Sequence, residues 1–230
     1  MPSTLPKYTQ ISEMLIREIA SGRLRVGERL PPERKLAADL GIAVGTLRRS
    51  LQDLTDKGVI TRRHGSGNYV QSVSQVPAIY NFFRLERPEG GGLPTARVLD
   101  LVLCGKDPEL PKFGNSSEAW RIRRLRSLDD TLVAAEEIWL DFSYADRLEA
   151  DELSESLYLH YQTELNLWIS RVVDQVSAAV TPDWASELGL SDTAPCGFVL
   201  RQSYDQKDYV AEVSRTWFHP DRAKYVSRMN

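Results

Sequence analysis

Two hydrophobic periods divide the chain. In the first third, apolar residues recur at spacings of three and four. Ile11, Leu15, Ile16 and Ile19 form one face of a helix expected over Tyr8 to Ser21, closed by Gly22. Leu36, Ala37 and Leu40 mark a short second helix, which Gly41 stops as a left-handed residue just past its end. Leu47, Leu51 and Leu54 mark a third, ending near Lys57-Gly58. Two β-like triplets, Val59-Ile60-Thr61 and Asn68-Tyr69-Val70, then flank a tip rich in cations and glycine.

From Thr95 the period falls to two. Arg97 to Leu103 is β-rich. Trp120, Ile122, Arg124, Arg126 and Leu128 face one way and Arg121, Arg123, Leu125 and Ser127 the other. Asp129-Asp130 makes a turn, and Leu132, Ala134, Glu136 and Ile138 line the returning strand. Short helices are expected over Ser143 to Leu148, Ser154 to Tyr161 and Pro182 to Leu188. A β-rich stretch spans Trp168 to Val180, and Phe198 to Tyr204 pairs with Tyr209 to Phe218 as a hairpin. The fold class is therefore α+β, with helices before an antiparallel sheet. Polar, proline-marked residues 72–79 read as a linker between domains at 1–71 and 80–230. The run Gly90-Gly91-Gly92 reads as an exposed loop or as a segment near a ligand.

Charge sharpens this division. The net charge of −3 conceals an N-terminal stretch, residues 1–75, with twelve Lys and Arg against seven Asp and Glu, a balance of +5. The remainder holds 17 against 25, a balance of −8. Affinity for a polyanion should therefore reside in the first third. Thr46, Arg48 and Arg49 face away from the leucines of the third helix, where a DNA major groove can receive them. Arg34 begins the preceding helix. Arg62, His64, Gly65 and Gly67 form the tip, pairing cations with residues that let a sugar-phosphate chain approach closely.

The first third resembles the winged helix-turn-helix of the GntR family of bacterial transcription regulators. The resemblance rests on Tyr8-Thr9-Gln10-Ile11, Gly27-Glu28-Arg29-Leu30-Pro31, Glu33-Arg34-Lys35-Leu36-Ala37, Thr46-Leu47-Arg48 and Gly65-Ser66-Gly67-Asn68-Tyr69-Val70, in order. It departs from the family at Ala43-Val44-Gly45, where Ser-Arg is usual; the change removes a helix cap and one expected DNA contact.

The remainder resembles the UTRA ligand-sensing domain of the HutC subfamily. Arg124-x-Arg126, Glu136-Glu137-Ile138-Trp139, Ser156-Leu157-Tyr158 and Glu212-Val213-Ser214-Arg215 carry that resemblance. It implies a chorismate-lyase-like fold that binds a small metabolite and dimerises. Arg124 and Arg126 would then hold the anionic group of an effector, with Ser156 and Tyr158 adding donors. Glu136 and Glu212 would accept bonds from its hydroxyl or amino groups, and Thr95 would make a further phosphate contact. From the residues alone, the two arginines serve equally well as an ion pair with Glu136 across the hairpin. Phe218 stands where some sugar-phosphate sensors carry tyrosine, so a phosphorylated sugar and a carboxylate metabolite both stay open.

The expected protein is a metabolite-controlled transcription repressor, binding a palindromic double-stranded operator as a homodimer. No apolar run approaches the ~20 residues of a membrane span, and the N-terminus lacks the apolar segment of a signal peptide, so a cytoplasmic location is expected. Cys104 and Cys196 match no metal spacing and read as buried reduced thiols. No metal and no cofactor is expected. An enzyme is disfavoured, because no nucleophile–base pair is legible, and a helical metal-binding sensor is disfavoured by the β-rich C-terminal part.

Overall fold

A computed structural model of the chain describes residues 6–20, 22–71, 82–153, 155–191 and 193–228. The expected linker, 72–79, lies outside them. Two compact units emerge, one ending at Phe83 and one spanning Arg84–Val226. Phe83 belongs with the first unit because its ring lies under the Arg17 guanidinium, 5.3 Å away.

The N-terminal unit has three helices, α1 (Lys7–Ala20), α2 (Glu33–Asp39) and α3 (Val44–Asp56), and a hairpin of β1 (Ile60–Arg63) and β2 (Gly67–Val70). Its core is the set of residues the period picked out: Ile11, Leu15, Ile16, Ile19, Leu36, Ala37, Leu47, Leu51 and Leu54 are all buried. Ser50 ties α3 to α1, donating to the Tyr8 carbonyl at 2.8 Å. Gly41, at φ 63°, turns the chain from α2 into α3. Leu30 and Asn68 join the connector to the hairpin through a 2.9 Å backbone bond, and Arg29 forms a β-bridge to Tyr69.

The start of α3 carries the expected defect. Ala43 occupies the cap position in an extended conformation and offers no side-chain bond. Ala43→Ser should therefore stabilise this unit by about 0.5–2 kcal/mol. The measurement is the urea midpoint of the helical circular-dichroism signal, and an unmoved midpoint would contradict it.

In the C-terminal unit, β4 (Pro94–Gly105), β5 (Glu118–Leu128), β6 (Thr131–Asp141), β7 (Arg171–Ala179), β8 (Cys196–Tyr204) and β9 (Val210–Phe218) form one antiparallel sheet. Its order is β4-β5-β6-β9-β8-β7, so β9 is inserted at the centre. Helix α4 (Leu157–Glu164) lies between β6 and β7 in sequence, and β3 (Leu85–Glu86) pairs with β10 (Lys224–Tyr225). Asp129 and Asp130 take φ of 46° and 64°, which suits the tight β5–β6 turn. One sheet face packs Leu125 and Ala135 on Ala185, and Trp139 and Val213 on Leu110 and Phe113.

Several expectations change here. β4 begins at Pro94 rather than Arg97, β7 begins at Arg171, and the segments near 143 and 183 are 3-10 turns, Phe142–Tyr144 and Asp183–Leu188. The glycine run is not an exposed loop. Gly91 and Gly92 are buried, and a Cβ on Gly92 would stand 3.1 Å from that of Leu128. Leu93 completes the docking by exchanging bonds with Asp129. Cys196 is buried but Cys104 is half-exposed, and both are free thiols.

Candidate DNA interface and anion site

In the N-terminal unit, the start of α2, one face of α3 and the hairpin enclose an open groove of about 470 Å³. Arg34, Arg48, Arg62, His64, Gly65 and Gly67 line it, together with Arg29 and Arg63. Glu33 is the only acidic lining residue, and it pairs with Arg48 at 2.8 Å. Among the described residues no ion pair involves Arg29, Arg34, Arg62 or Arg63. Same-sign charge crowded into a concavity without counter-charge favours a polyanion, because binding releases condensed counterions and relieves the repulsion.

Two expected contacts do not line the groove. Thr46 is half-buried on α3, and Arg49 stacks over the Tyr8 ring at 4.2 Å. Sequence reasoning missed Arg29 and Arg63. Alternation along β1 could have flagged Arg63, whose guanidinium lies over the Tyr69 ring at 4.4 Å. Nothing in the linear pattern placed Arg29 beside the hairpin.

In the C-terminal unit the register sets Arg124 opposite Glu136 across β5 and β6. Arg124 Nε donates to Glu136 Oε2 at 2.5 Å and Arg126 Nη2 donates to the same oxygen at 3.2 Å. Both guanidinium groups also donate to the Glu155 carbonyl, at 3.4 and 3.1 Å, just before α4. All three side chains are buried. Burial alone would raise the Glu136 pKa, but the two guanidinium charges outweigh it and hold the carboxyl at about 2. The cross-hairpin ion pair that the sequence left open as an alternative is therefore present, and it involves two cations and one anion.

A second buried cluster lies further along the sheet. Glu212 accepts from Tyr161 at 2.7 Å, Ser203 at 3.0 Å and Tyr158 at 3.3 Å, so its oxygens are already engaged. Burial pushes its carboxyl pKa up. Tyr158 also touches Ser203 at 2.8 Å and hydrogen-bonds Arg201. Arg201 forms a two-point bond to Asp174 at 2.6 and 2.7 Å, and Asp174 accepts from Tyr225 of β10. Ser156 caps α4, accepting from the Leu159 amide at 3.4 Å. Thr95 is not brought to the arginines. It pairs with Ser127, whereas Ala96 pairs with Arg126, so Thr95 takes the opposite sheet face.

A winged helix-turn-helix with a cationic groove, joined in one chain to a sheet domain that buries two arginines, defines a DNA-binding regulator with a ligand-binding domain. Comparison with known proteins gives the family. The family described as "Bacterial regulatory proteins, gntR family" matches residues 7–70, and the "UTRA domain" matches residues 89–224. The chain is 54% identical over 227 residues to the HTH-type transcriptional regulator SmoD of Agrobacterium fabrum, covering 98% of this chain and 97% of that protein. It is 29% identical over 234 residues to the HTH-type transcriptional repressor NagR of Bacillus subtilis, covering 99% and 96%. The crystal structure of the possible transcriptional regulator YydK from Bacillus subtilis superposes with a TM-score of 0.56 at 20% identity, over 98% of this chain and 100% of that one, a likeness of fold.

The chain belongs to the GntR family and carries a UTRA domain. It is a DNA-binding transcription regulator, from a family of regulators rather than enzymes.

Proposed function

We propose that the chain is a repressor of the HutC subfamily that binds a palindromic operator as a homodimer in the cytoplasm and leaves it when a small anionic metabolite fills the C-terminal domain. The observation that carries this reading is the imbalance at Glu136. Two buried guanidinium groups share one carboxylate oxygen and one carbonyl. An incoming phosphate or carboxylate would meet the two guanidinium groups as a charge-assisted, bidentate ligand. A phosphorylated sugar is the first choice and a carboxylate metabolite the second. Ser156, Tyr158, Glu136 and Glu212 would contact the rest of it.

The same bonds suggest how the signal travels. An anion on Arg124 and Arg126 competes with the Glu155 carbonyl and so loosens the start of α4. Tyr158 of that helix leads through Arg201 and Asp174 to Tyr225, and β10 pairs with β3 beside the entry of the chain into this domain. Such coupling amounts to ~1–3 kcal/mol in typical regulators.

The test is a thermal-shift screen of sugar phosphates and carboxylates, followed by electrophoretic retardation of a palindrome from the gene's own promoter. A ligand that raises the melting temperature should also release the palindrome. Arg124→Ala and Arg126→Ala should each abolish the shift, and an unchanged shift would confine those arginines to the ion pair.

The homodimer has a candidate surface. β7 is an edge strand, and Gln175, Val176, Ser177 and Ala178 are all exposed and uncharged. A second copy can pair with such an edge. Val176→Lys should shift sedimentation from dimer toward monomer, and an unaffected dimer would place the interface elsewhere.

A further inference from the structure

Arg29 sits in the connector before α2, outside every segment that a helix-turn-helix pattern would nominate for DNA contact. Its backbone bridges Tyr69 of β2. Its guanidinium then lies against the turn end of β2: a Cβ on Gly67 would stand 3.2 Å from Arg29 Nε, 3.5 Å from Nη2 and 3.7 Å from Cζ. Those distances bring the Nε–Nη2 edge of the guanidinium against Gly67, where an added side chain would crowd it. The glycine therefore has a second role beside adopting φ +113°.

The seated group faces the groove. Arg29 lines it together with Arg34, Arg62 and Arg63, and it is exposed rather than buried. Among the described residues no carboxylate pairs with it. Arg48, by contrast, has part of its charge met by Glu33 at 2.8 Å. Standing on the connector beside β2 rather than on α3, it suits a phosphate on the DNA strand and not a base edge.

We propose that Arg29 is a further phosphate-binding residue, positioned by its bridge to Tyr69 and given room by Gly67, that contributes affinity without sequence preference. The inference rests on the DNA-binding reading of the groove.

Because the contact is independent of sequence, the probe is a random-sequence duplex of thirty base pairs. The full chain is titrated by fluorescence anisotropy across a salt series. Each phosphate contact adds about −0.9 to the slope of log affinity against log salt, equivalent to about eightfold in affinity at 0.1 M salt. Arg29→Ala should flatten the slope by about 0.9 and weaken binding about eightfold. Arg29→Lys should keep the slope, and Arg147→Ala, an exposed arginine of the other unit, should leave it unchanged. An Arg29→Ala slope equal to that of the parent chain, whatever its melting temperature, would overturn the proposal and assign Arg29 to bracing the hairpin. A parent chain that does not bind the duplex at low salt would overturn the reading of the groove itself, a distinct result.

Discussion

Glu136→Gln should destabilise the C-terminal domain by about 3–5 kcal/mol, the usual cost of removing one partner from a buried ion pair. Glutamine keeps the shape and a carbonyl acceptor but removes the carboxylate charge that Arg124 and Arg126 share, leaving the two buried guanidinium groups with one counter-charge fewer. The domain supplies its own reporter. All five tryptophans (Trp120, Trp139, Trp168, Trp184 and Trp217) lie within it, so urea unfolding followed by tryptophan fluorescence reads this unit alone. A loss below ~1 kcal/mol would mean that the arginines find other compensation. Inorganic phosphate should restore part of the loss if the arginines grip anions, since a ligand bound only by the folded state stabilises it by mass action.

The parent domain should show the same ion pair in its pH dependence. Glu136 is held at about 2, below its ordinary value of 4.5. A depressed acid contributes stability that is complete above its unfolded value and is lost as pH falls toward the folded one. Acid unfolding of the parent should therefore steepen between about pH 4.5 and pH 2, and Glu136→Gln should remove that component. Glu212 acts in the opposite sense. Its raised pKa means the folded state holds that proton more tightly, so its contribution grows as pH falls.

The second large effect concerns the groove. Arg62→Ala with Arg63→Ala should flatten the salt slope by about 1.8 and weaken binding to any duplex about sixtyfold at 0.1 M salt, from counterion release alone. The loss should be the same for operator and random DNA, because phosphate contacts carry no base information. A loss confined to the operator would show that one of the two reads bases instead. Both side chains are exposed, so the fold should survive the change.

The N-terminal unit was almost fully legible because its information is local. The spacing of Ile11, Leu15, Ile16 and Ile19 predicts one buried face, and all four are buried. In the sheet, alternation placed Arg124 and Arg126 on one face, and the Asp129-Asp130 turn fixed the register that brings Glu136 opposite Arg124. What alternation could not supply was pairing between distant strands. Nothing in residues 210–218 announces that they pair with 134–140 as well as with 197–204. Ser203, Tyr161, Arg201 and Asp174 were missed for that reason, since only the completed sheet gathers them. Thr95 was misplaced for a related one: proximity in sequence to the glycine run said nothing about which face its side chain would take.

The central position of β9 has a consequence for how the protein is made. β6 needs β9 as its inner neighbour, yet 68 residues separate Asp141 from Val210. At ~5–20 residues per second of synthesis, a nascent chain presents the unpaired edge of β6, whose residues Val133 to Leu140 are all buried in the finished sheet, for about 3–14 seconds. The helical unit before it has no such wait, because β2 pairs with β1 immediately before it and ends at Val70. The DNA-binding half can therefore fold on the ribosome while β6 still waits for its inner neighbour, its edge open to pairing with other chains.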